Sequence, residues 1–236
     1  MYKKLAKYYD LIYHWKDYEK EAYSIKDLIK KYKKTDGNKL LDVGCGTGKH
    51  LEYFKDDFSC TGIDINNEMV EVAKSKVKYV IFEQGDMIDF NLKTEFDVIL
   101  CLFSSIGYVK TYSNLEKTIK NFANHLNKGG VLIIEPWFTK STYWVGYPGM
   151  TTYDGKDIKI ARLNTTKIKG DLSIMEMHYL IVEKDKDVIH FVDTHELGLF
   201  EIDKTLEFIE KAGFKAEFLL NGLMEDRGLF IGVKLE

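Results

Sequence analysis

The stretch Leu40-Leu41-Asp42-Val43-Gly44-Cys45-Gly46-Thr47-Gly48 decides how this chain folds. It predicts a buried strand that turns on three alternate glycines into a helix. A second apolar run, residues 60–63, ends in Asp64, 20 residues after Gly44. In a βαβ unit, glycines let the backbone approach a ligand closely, and an acid at the tip of the second strand accepts hydrogen bonds from a ribose diol. The pairing therefore predicts a nucleoside site at the ends of these two strands.

The spacing of the glycines excludes two common phosphate-binding loops. A dinucleotide fingerprint would need a glycine where Lys49 stands, and a Walker A loop would need a glycine at Val43 and a hydroxyl residue at His50. What remains, D-x-G-x-G-x-G from Asp42, resembles the first motif of the class I S-adenosylmethionine (SAM) dependent methyltransferases. SAM has no phosphates, so the glycines would give room for its methionine part. The alternative is an ordinary glycine-rich turn in an unrelated α/β domain.

Length, charge and cysteine content narrow the class further. The chain has 236 residues and a formal net charge of -3, so it has no global basic field and nucleic acid is not an expected partner. Its three cysteines form no C-x-x-C pair, which favours buried thiols in a reducing compartment such as the cytoplasm. No apolar run approaches the roughly 18 residues of a membrane span, so no membrane partner is expected. No His, Cys, Asp and Glu set has metal-ligand spacing, and no metal is expected.

Strands alternate with helices as far as residue 135, which predicts a parallel sheet with helices on both faces. The predicted strands are 39–44, 59–64, 79–83, 96–101 and 131–135, and the predicted helices are 2–14, 18–34, one from about 48, one after 67 and 114–127. Residues 150–200 lack helical period and predict an antiparallel insertion. A helix (203–212) and two strands (215–220 and 228–234) then resume the main sheet.

The predicted fold class is α/β: a doubly wound, mostly parallel, seven-stranded Rossmann-like sheet with an antiparallel β insertion after the fifth strand. We expect a single domain over residues 1–236, with N-terminal lid helices in 1–36 and a substrate-binding insertion in 137–200. Ligands of such sheets bind at the carboxyl ends of the strands, where the strand order reverses. An insertion at this point of the chain can lie over those strand ends.

Several residues follow the predicted strands closely enough to meet a nucleoside cofactor. Asp64 is the expected acceptor for the ribose diol, with an N-cap of the following helix as the alternative. Asp86 follows the third strand and could accept the adenine amino group or cap a turn, while Met87 offers apolar packing to the ring. The predicted cofactor-binding set is Tyr9, Asp42, Gly44, Gly46, Gly48, Asp64, Ile65, Asp86, Met87, Leu102 and Phe103.

The loop after the fourth strand reads L-F-S-S-I-G-Y over residues 102–108, where the methyl group should be presented. Methyltransferases acting on planar nitrogens of adenine or glutamine carry an Asn/Asp-Pro-Pro-aromatic loop there. This chain has none, which disfavours those substrates. Tyr108 could orient a nucleophile, or it could be a packing tyrosine.

Two strands of the predicted insertion alternate acid and imidazole. Glu176 and His178 share one strand face, and Asp193 and His195 share another. The two pairs could line a polar pocket, or they could lie on a solvated outer face.

Beyond the general class, the chain resembles the SAM-dependent N,N-dimethyltransferases of nucleotide-linked amino sugars of the desosamine and mycaminose type. The matching stretches include Tyr9-Asp10-Leu11, Lys16-Asp17-Tyr18, residues 40–48, Gln84-Gly85-Asp86-Met87, Phe103-Ser104-Ser105-Ile106-Gly107-Tyr108, Glu135-Pro136-Trp137, Met175-Glu176, His178-Tyr179-Leu180 and Arg227-Gly228-Leu229-Phe230. They run nearly end to end and include the insertion. The resemblance implies SAM as cofactor, methyl transfer to the amine of a nucleotide-linked amino sugar, and a homodimer.

In that family an N-terminal tyrosine and the corner after the fifth strand meet the sugar nucleotide. The resemblance therefore implies that Tyr2 and Trp137 bind substrate. Arg227 is a third candidate, because a guanidinium suits bidentate phosphate binding; the alternative is a solvent-exposed loop arginine. The family often has Trp-Trp at the corner, where this chain has Trp137-Phe138, and it has two glycines before the tail arginine, which this chain lacks. These departures leave open a different sugar or nucleotide end.

Methyl transfer to an amine requires that the amine first lose its proton, so a carboxylate or imidazole nearby would help. The candidate catalytic residues are Tyr108, Glu176, His178 and His195. Two alternatives to an aminosugar enzyme remain: a SAM-dependent N- or O-methyltransferase of another small molecule, and a non-catalytic SAM-binding module.

Overall fold

Helices and strands alternate along the computed structural model of this protein, which describes residues 5–235. The helices are α1 (Tyr9–Ile12), α2 (Tyr18–Tyr32), α3 (Lys49–Phe54), α4 (Asn67–Lys76), α5 (Tyr112–Asn124) and α6 (Ile202–Lys211), with a 3-10 helix over Ser105–Val109. The strands are β1 (Lys39–Val43), β2 (Ser59–Asp64), β3 (Ile81–Gln84), β4 (Phe96–Cys101), β5 (Leu126–Ile134), β6 (Gly149–Asp154), β7 (Ile158–Lys169), β8 (Leu172–Glu183), β9 (Ile189–Gly198), β10 (Phe214–Leu219) and β11 (Leu229–Lys234).

Seven of the described strands form the main sheet, in the order β10-β11-β5-β4-β1-β2-β3. β1 to β5 are parallel, and β11 runs antiparallel to both β5 and β10. The order reverses between β1 and β4, where Leu40 pairs with Val98 and Asp42 pairs with Leu100. The predicted α/β, doubly wound, mostly parallel sheet is confirmed. Its switch point lies at the carboxyl ends of β1 and β4, where ligands of such sheets bind.

Helices cover both faces of this sheet because its central strands are apolar on both faces. Every residue of β4 is buried, as expected at the centre of a parallel sheet. One face packs against Ile25 of α2, Phe54 of α3 and Val70 of α4. The other packs against Phe122 of α5 and Phe208 of α6. Full burial of one such side chain contributes roughly 1.5–3 kcal/mol, so both layers hold the strand ends firmly in place.

A separate antiparallel sheet, in the order β6-β7-β8-β9, follows the fifth strand. Burial alternates along β8 because one face of this sheet is covered and the other is open. The covered face packs against the N-terminal segment, where Leu5 and Ile12 join Met177 and Tyr179 in one apolar cluster. The insertion and the N-terminal segment together border the strand ends of the main sheet.

The N-terminal region differs from the prediction. The helix predicted over 2–14 is confined to α1, with turns on either side of it, and residues 1–4 lie outside the described part of the chain. Tyr8 at its N-cap makes no side-chain capping hydrogen bond. The aromatic rings pack instead in tertiary contacts, such as Tyr9 against Tyr13 with centroids 4.7 Å apart. The second predicted lid helix, α2, buries Ile25 and Ile29 against the main sheet, so it is part of the body of the fold.

Three further observations concern partners and redox state. Within residues 5–235, no helix has both the length and the apolar character that crossing a membrane requires. No group of three or more His, Cys, Asp or Glu side chains in the described part of the chain is placed to hold a metal ion. Cys45, Cys60 and Cys101 are buried and form no disulfides.

Candidate active site

A cavity of about 480 Å³ lies at the carboxyl ends of β1, β2 and β4. It is lined by the glycine-rich loop, by the N-terminal segment through Tyr9 and Tyr13, and by the insertion through Arg162 and Met175. The predicted site residues that line it are Tyr9, Asp42, Gly44, Gly46, Asp64, Ile65, Asp86, Met87, Leu102, Phe103, Tyr108, Trp137 and Arg227. The fold thus brings most of the candidate residues into one space.

The glycine-rich loop places backbone rather than side chains against this cavity. Gly44 and Gly46 have φ values of 75° and 54°, which residues with a side chain rarely adopt. A Cβ on Gly46 would point into open space, so the loop leaves room for a bound molecule. Gly48 is the N-cap of α3 and is not among the residues that line the cavity, so its predicted cofactor contact stays a prediction. A Cβ there would lie 2.9 Å from the ring of Phe82, so this glycine serves packing.

Asp64 at the tip of β2 is held by two backbone donors. The N–H of Gly46 donates to its Oδ2 at 2.9 Å, and the N–H of Asn66 donates to its Oδ1 at 2.8 Å. Burial raises the pKa of this carboxyl, and the two hydrogen bonds oppose that rise. The cap of α4 is Asn66, whose side chain accepts the N–H of Glu68, and not Asp64. Asp64 is therefore placed at the cavity with accepting capacity to spare, since a carboxylate has about four lone-pair sites.

Asp42, the penultimate residue of β1, lines the same cavity as Asp64 and is almost fully buried. Burial, together with the charge of Asp64, raises the pKa of Asp42 to about 7. Two carboxyl groups so close in a desolvated site do not both ionise freely. The cavity therefore holds Asp64, whose carboxylate is held by two backbone donors, and Asp42, which keeps its proton at pH values below about 7.

Asp86 and Met87 line the cavity beyond β3, as predicted. Oδ1 of Asp86 accepts the N–H of Ile88 at 2.9 Å, so this residue caps a turn and also faces the cavity. The two alternatives drawn from the sequence are therefore compatible, because one carboxylate oxygen closes the turn and the other is left for a ligand.

The loop after β4 is held in a left-handed conformation at two successive residues. Phe103 and Ser104 have φ values of 50° and 62°. The N–H of Phe103 donates to Oε2 of Glu135 at 2.7 Å, and the hydroxyl of Ser104 donates to the carbonyl of Pro136 at 2.7 Å. Such backbone costs of order 1–3 kcal/mol per residue and persists only where its surroundings hold it. The corner after β5 supplies that support.

Arg227 reaches the same loop from the segment before β11. Its Nη1 donates to the hydroxyl of Ser104 at 2.9 Å, and its guanidinium lies 4.7 Å from the ring of Trp137 and 5.0 Å from that of Phe138. Burial lowers its pKa, while the nearby charge of Glu135 opposes that effect. A loop arginine is usually exposed, but this one is built into the wall of the cavity. Trp137 is fixed in turn, because its Nε1 donates to the hydroxyl of Ser173 at 2.8 Å.

A buried ionic cluster supports the cavity from the side of α2. Lys16 pairs with Glu21, and Glu21 accepts from Nε2 of His50 at 2.8 Å. The Lys16 ammonium also lies 4.3 Å from the centre of the Phe103 ring. Sequence reasoning missed this cluster. A signal was present, because Glu21 stands four residues before Ile25 on the buried stripe of α2.

The N-terminal segment is tied to the glycine-rich loop by one aspartate. The hydroxyl of Thr47 donates to Oδ1 of Asp10 at 2.5 Å, and Lys76 of α4 pairs with the other oxygen of Asp10. Tyr9 and Tyr13, on either side of Asp10 in sequence, face the cavity. The contacts of Asp10 therefore fix the wall formed by Tyr9 and Tyr13 against the glycine-rich loop and α4.

The two acid–imidazole pairs of the insertion lie on opposite faces of its sheet. Glu176 and His178 are half-exposed on the outer face, where His178 stacks on His190. Their predicted catalytic role is corrected, because the β8 residues that line the cavity are Met175 and Met177 on the other face.

Asp193 and His195 lie on the inner face, next to the 3-10 helix. The Tyr108 hydroxyl and Nδ1 of His195 are 2.6 Å apart, and Nε2 of His195 lies 3.2 Å from Oδ2 of Asp193. Tyr108 lines the cavity, and the His195 side chain is fully buried behind it. The structure thus joins two of the predicted catalytic residues and adds an acid to them.

Two substrate-side residues remain. Tyr2 lies outside the described residues. Arg162 of β7 lines the cavity, where its Nη1 donates to the Tyr13 hydroxyl at 3.1 Å and its Nη2 donates to the Thr151 hydroxyl at 2.8 Å. The sequence contains only two arginines among its 34 basic Lys and Arg residues, and both line this cavity. Because arginine is so rare in this sequence, its occurrence at position 162 was the signal that could have marked Arg162 as a site residue.

The residues present fit the SAM predicted from the sequence. Open space beside Gly46 leaves room for the methionine part, Asp64 can accept the ribose hydroxyls, and Asp86 with Met87 can meet the base. The described part of the cavity continues past Phe103 and Tyr108 toward Arg162. Residues of the cofactor side and residues of the insertion therefore border one space.

Comparison with known proteins agrees with this geometry. The methyltransferase domain family matches residues 40–130. A dTDP-3-amino-3,4,6-trideoxy-alpha-D-glucopyranose N,N-dimethyltransferase of Streptomyces venezuelae is 36% identical over 231 residues, which cover 97% of both chains. The crystal structure of Streptomyces venezuelae DesVI has a TM-score of 0.91 at 35% identity, covering 97% of this chain and 98% of its own. SAM-bound CalS10, an amino pentose methyltransferase from Micromonospora echinaspora, has a TM-score of 0.83 at 29% identity, covering 93% and 92%.

Proposed function

The chain belongs to the family of SAM-dependent methyltransferases that these relatives represent, and we propose that it methylates the amine of a nucleotide-linked amino sugar. One observation carries the proposal: Gly44 and Asp64 line the same continuous cavity as Arg162 and Met175 of the insertion. A cofactor and an acceptor can therefore meet in one space. The similarity to an aminosugar N,N-dimethyltransferase, which spans the insertion as well as the main sheet, supports this class of acceptor.

On the cofactor side, the residues act by binding and orienting. Asp64 accepts the ribose diol, Oδ2 of Asp86 accepts the adenine amino group, and Met87 packs on the ring. When bound, SAM supplies a sulfonium methyl group to the acceptor nitrogen. The pinned N-terminal segment and the insertion border the site and keep bulk water away from it. Orienting two reactants in this way can give an effective molarity of roughly 10⁵–10⁸ M. Because the sulfonium is a good leaving group, positioning can supply much of the rate acceleration.

On the acceptor side, Trp137 and the two arginines hold the sugar nucleotide. Guanidinium groups suit phosphate oxygens because of their planar fork of donors. Arg227 keeps donors beyond the one that Ser104 accepts, and both arginines line the cavity. Trp137 stands next to Arg227 and offers an apolar face to the sugar ring. The two arginines would thus hold the phosphates of the sugar nucleotide, and the amine of the sugar would point toward Tyr108.

Mass spectrometry of SAM reactions with a panel of nucleotide-linked 3-amino and 4-amino hexoses tests the proposal. A gain of one or two methyl groups on any of them supports it and identifies the acceptor. Absence of methylation on the whole panel, while SAM still binds, would overturn the aminosugar assignment. Turnover on another small molecule would then favour the N- or O-methyltransferase alternative, and SAM binding without any turnover would favour a non-catalytic module.

We also propose that the enzyme is a homodimer that joins through the outer face of the insertion. Met150, Leu163, His178 and Val192 are cross-strand neighbours in one row on that face. Met150, Leu163 and Val192 are 72%, 48% and 46% exposed. The open face of an antiparallel sheet is normally polar, and an exposed apolar row is typical of a contact surface. A cytoplasmic location is proposed with it, supported by three buried cysteines outside disulfides.

A further inference from the structure

We propose that Tyr108, His195 and Asp193 form a relay that takes the proton from the acceptor amine, an inference that rests on the proposed function. The Tyr108 hydroxyl lies 2.6 Å from Nδ1 of His195, and Nε2 of His195 lies 3.2 Å from Oδ2 of Asp193. Tyr108 faces the cavity, while the imidazole behind it has no exposed surface. An imidazole between a hydroxyl and a carboxylate is suited to accepting a proton.

The carboxylate of Asp193 sets the direction of the relay. A neutral imidazole carries one proton, and a carboxylate beside Nε2 favours the tautomer that has it there. Nδ1 is then an acceptor, so the Tyr108 hydroxyl donates to it. Because Tyr108 lines the cavity, its hydroxyl oxygen can take a proton from an ammonium group that reaches it there.

The protons balance without any further reagent. The sugar ammonium gives one proton to the Tyr108 oxygen while the hydroxyl proton of Tyr108 passes to Nδ1 of His195. The amine keeps its lone pair for attack, Tyr108 is neutral again, and His195 is an imidazolium that the charge of Asp193 stabilises. Once the product leaves, water in the cavity takes this proton back through Tyr108. Each methyl transfer therefore charges His195 once.

The 3-10 helix that carries Tyr108 is fixed on β9, so the relay is assembled before any ligand binds. A Cβ on Gly107 would lie 2.9 Å from Cδ2 of Leu197, which shows how closely helix and strand approach. Lys110 and Glu196 form an ion pair at 2.7 Å across the same contact. His195 and Asp193 act through Tyr108 and are positioning residues; Tyr108 is the group placed to touch the acceptor.

The first test needs no acceptor. Correlation spectroscopy of the histidine ring nitrogens in the full chain, at a pH where the rings are neutral, reports the tautomer of His195. We expect the proton on Nε2 in the wild type and a shift toward Nδ1 in Asp193→Asn. A proton on Nδ1 in the wild type would overturn the relay, whatever the substrate is.

The second test separates proton transfer from a structural role. Single-turnover methylation of the best aminosugar acceptor is followed from about pH 6 to about pH 10, the range in which amines of this kind lose their proton. Tyr108→Phe and His195→Gln should be slower by about 100-fold at the acid end. The gap should close at the alkaline end, where the ammonium group of the acceptor loses its proton to solvent without help from the relay. An equal loss at every pH, as a purely structural contact would give, would overturn the proposal.

Tyr23→Phe is the matched control for the loss of a tyrosine hydroxyl, since Tyr23 is 61% exposed on α2, and its profile should equal that of the wild type. Other titratable or charged groups near the relay are Tyr9, Arg162, Tyr179, Lys110 and Glu196. They are unchanged in all variants, so differences between profiles report the relay. If the wild type methylates no amino sugar, the proposed function fails, while the tautomer measurement still decides the relay.

Discussion

Glu135 and Phe103, 32 residues apart in sequence, are joined by a hydrogen bond of 2.7 Å from the Phe103 N–H to Oε2 of Glu135. Glu135 is fully buried, and burial raises its pKa. Phe103 borders the cavity in a left-handed conformation. The buried carboxyl group of Glu135, just after β5, thus holds the cavity loop that follows the neighbouring strand β4.

Removing this acceptor should disturb the site. Glu135→Ala leaves the N–H of Phe103 unsatisfied, so we expect a loss of about 1–3 kcal/mol in the free energy of unfolding and weaker SAM binding. Urea unfolding and calorimetric titration with SAM measure the two effects. Glu135→Gln keeps an acceptor in place and should retain most of both. SAM affinity equal to wild type in the alanine variant would contradict this role.

The carboxylate of Asp64 is expected to carry much of the SAM affinity. Asp64→Asn keeps one acceptor oxygen but loses the charge and the second acceptor, so binding should weaken by about 10- to 100-fold, as expected for a charged hydrogen bond of about 1.5–3 kcal/mol. Titration calorimetry measures the change, with the exposed Asp187→Asn as control. An unchanged dissociation constant would rule out the assigned contact with the ribose.

Asp42 should make the folded protein less stable as the pH rises. Its folded pKa of about 7 lies above the value of 3.8 for an unperturbed Asp, so the folded state holds the proton more tightly. Stability is then full below about pH 4 and falls as the pH rises toward 7. Asp42→Asn removes this loss, and we expect it to exceed wild type by roughly 2–4 kcal/mol above pH 7 but not at pH 4. Denaturant titrations across this range measure the difference, and the exposed Asp27→Asn should show none.

The proposed dimer should depend on the apolar row of the insertion. Leu163→Lys places a charge in the centre of that row, so the mass in solution measured by light scattering should fall from dimer to monomer. Lys159→Leu, on the same strand face but nearer its end, is the control and should not weaken assembly. A wild-type chain that is monomeric at all concentrations would disprove the dimer.

The main sheet and the nucleoside side of the site could be predicted because their signals are local. The turn at Gly44 and Gly46 and the acid at Asp64 belong to one βαβ unit, in which spacing along the chain fixes spacing in the fold. The first and last residues of the strands could be predicted less accurately. β5 begins at Leu126, five residues before its predicted start, because Leu126 pairs with Phe96 ahead of an irregular register.

The acceptor side could not be predicted to the same depth. A period of two shows that Glu176 and His178 share a face, but only docking against the N-terminal segment decides which face is covered. The link between Arg227 and Ser104 spans 123 residues, and no local pattern encodes it. Whether Asp193 and His195 line a pocket or lie on a solvated face stayed open, because Tyr108, which contacts His195, lies on a different element.

The Asp10 bridge between Thr47 and Lys76 has a consequence for the order of events. Asp10 ties the segment that carries Tyr9 and Tyr13 to the glycine-rich loop, so we expect the cofactor side and the acceptor side of the cavity to open together. Exchange of spent for fresh cofactor then also opens the exit for a singly methylated sugar. Double methylation should be distributive, with the monomethyl product building up in solution before the dimethyl product. A dimethyl product that forms first, without free intermediate, would show that the two sides open independently.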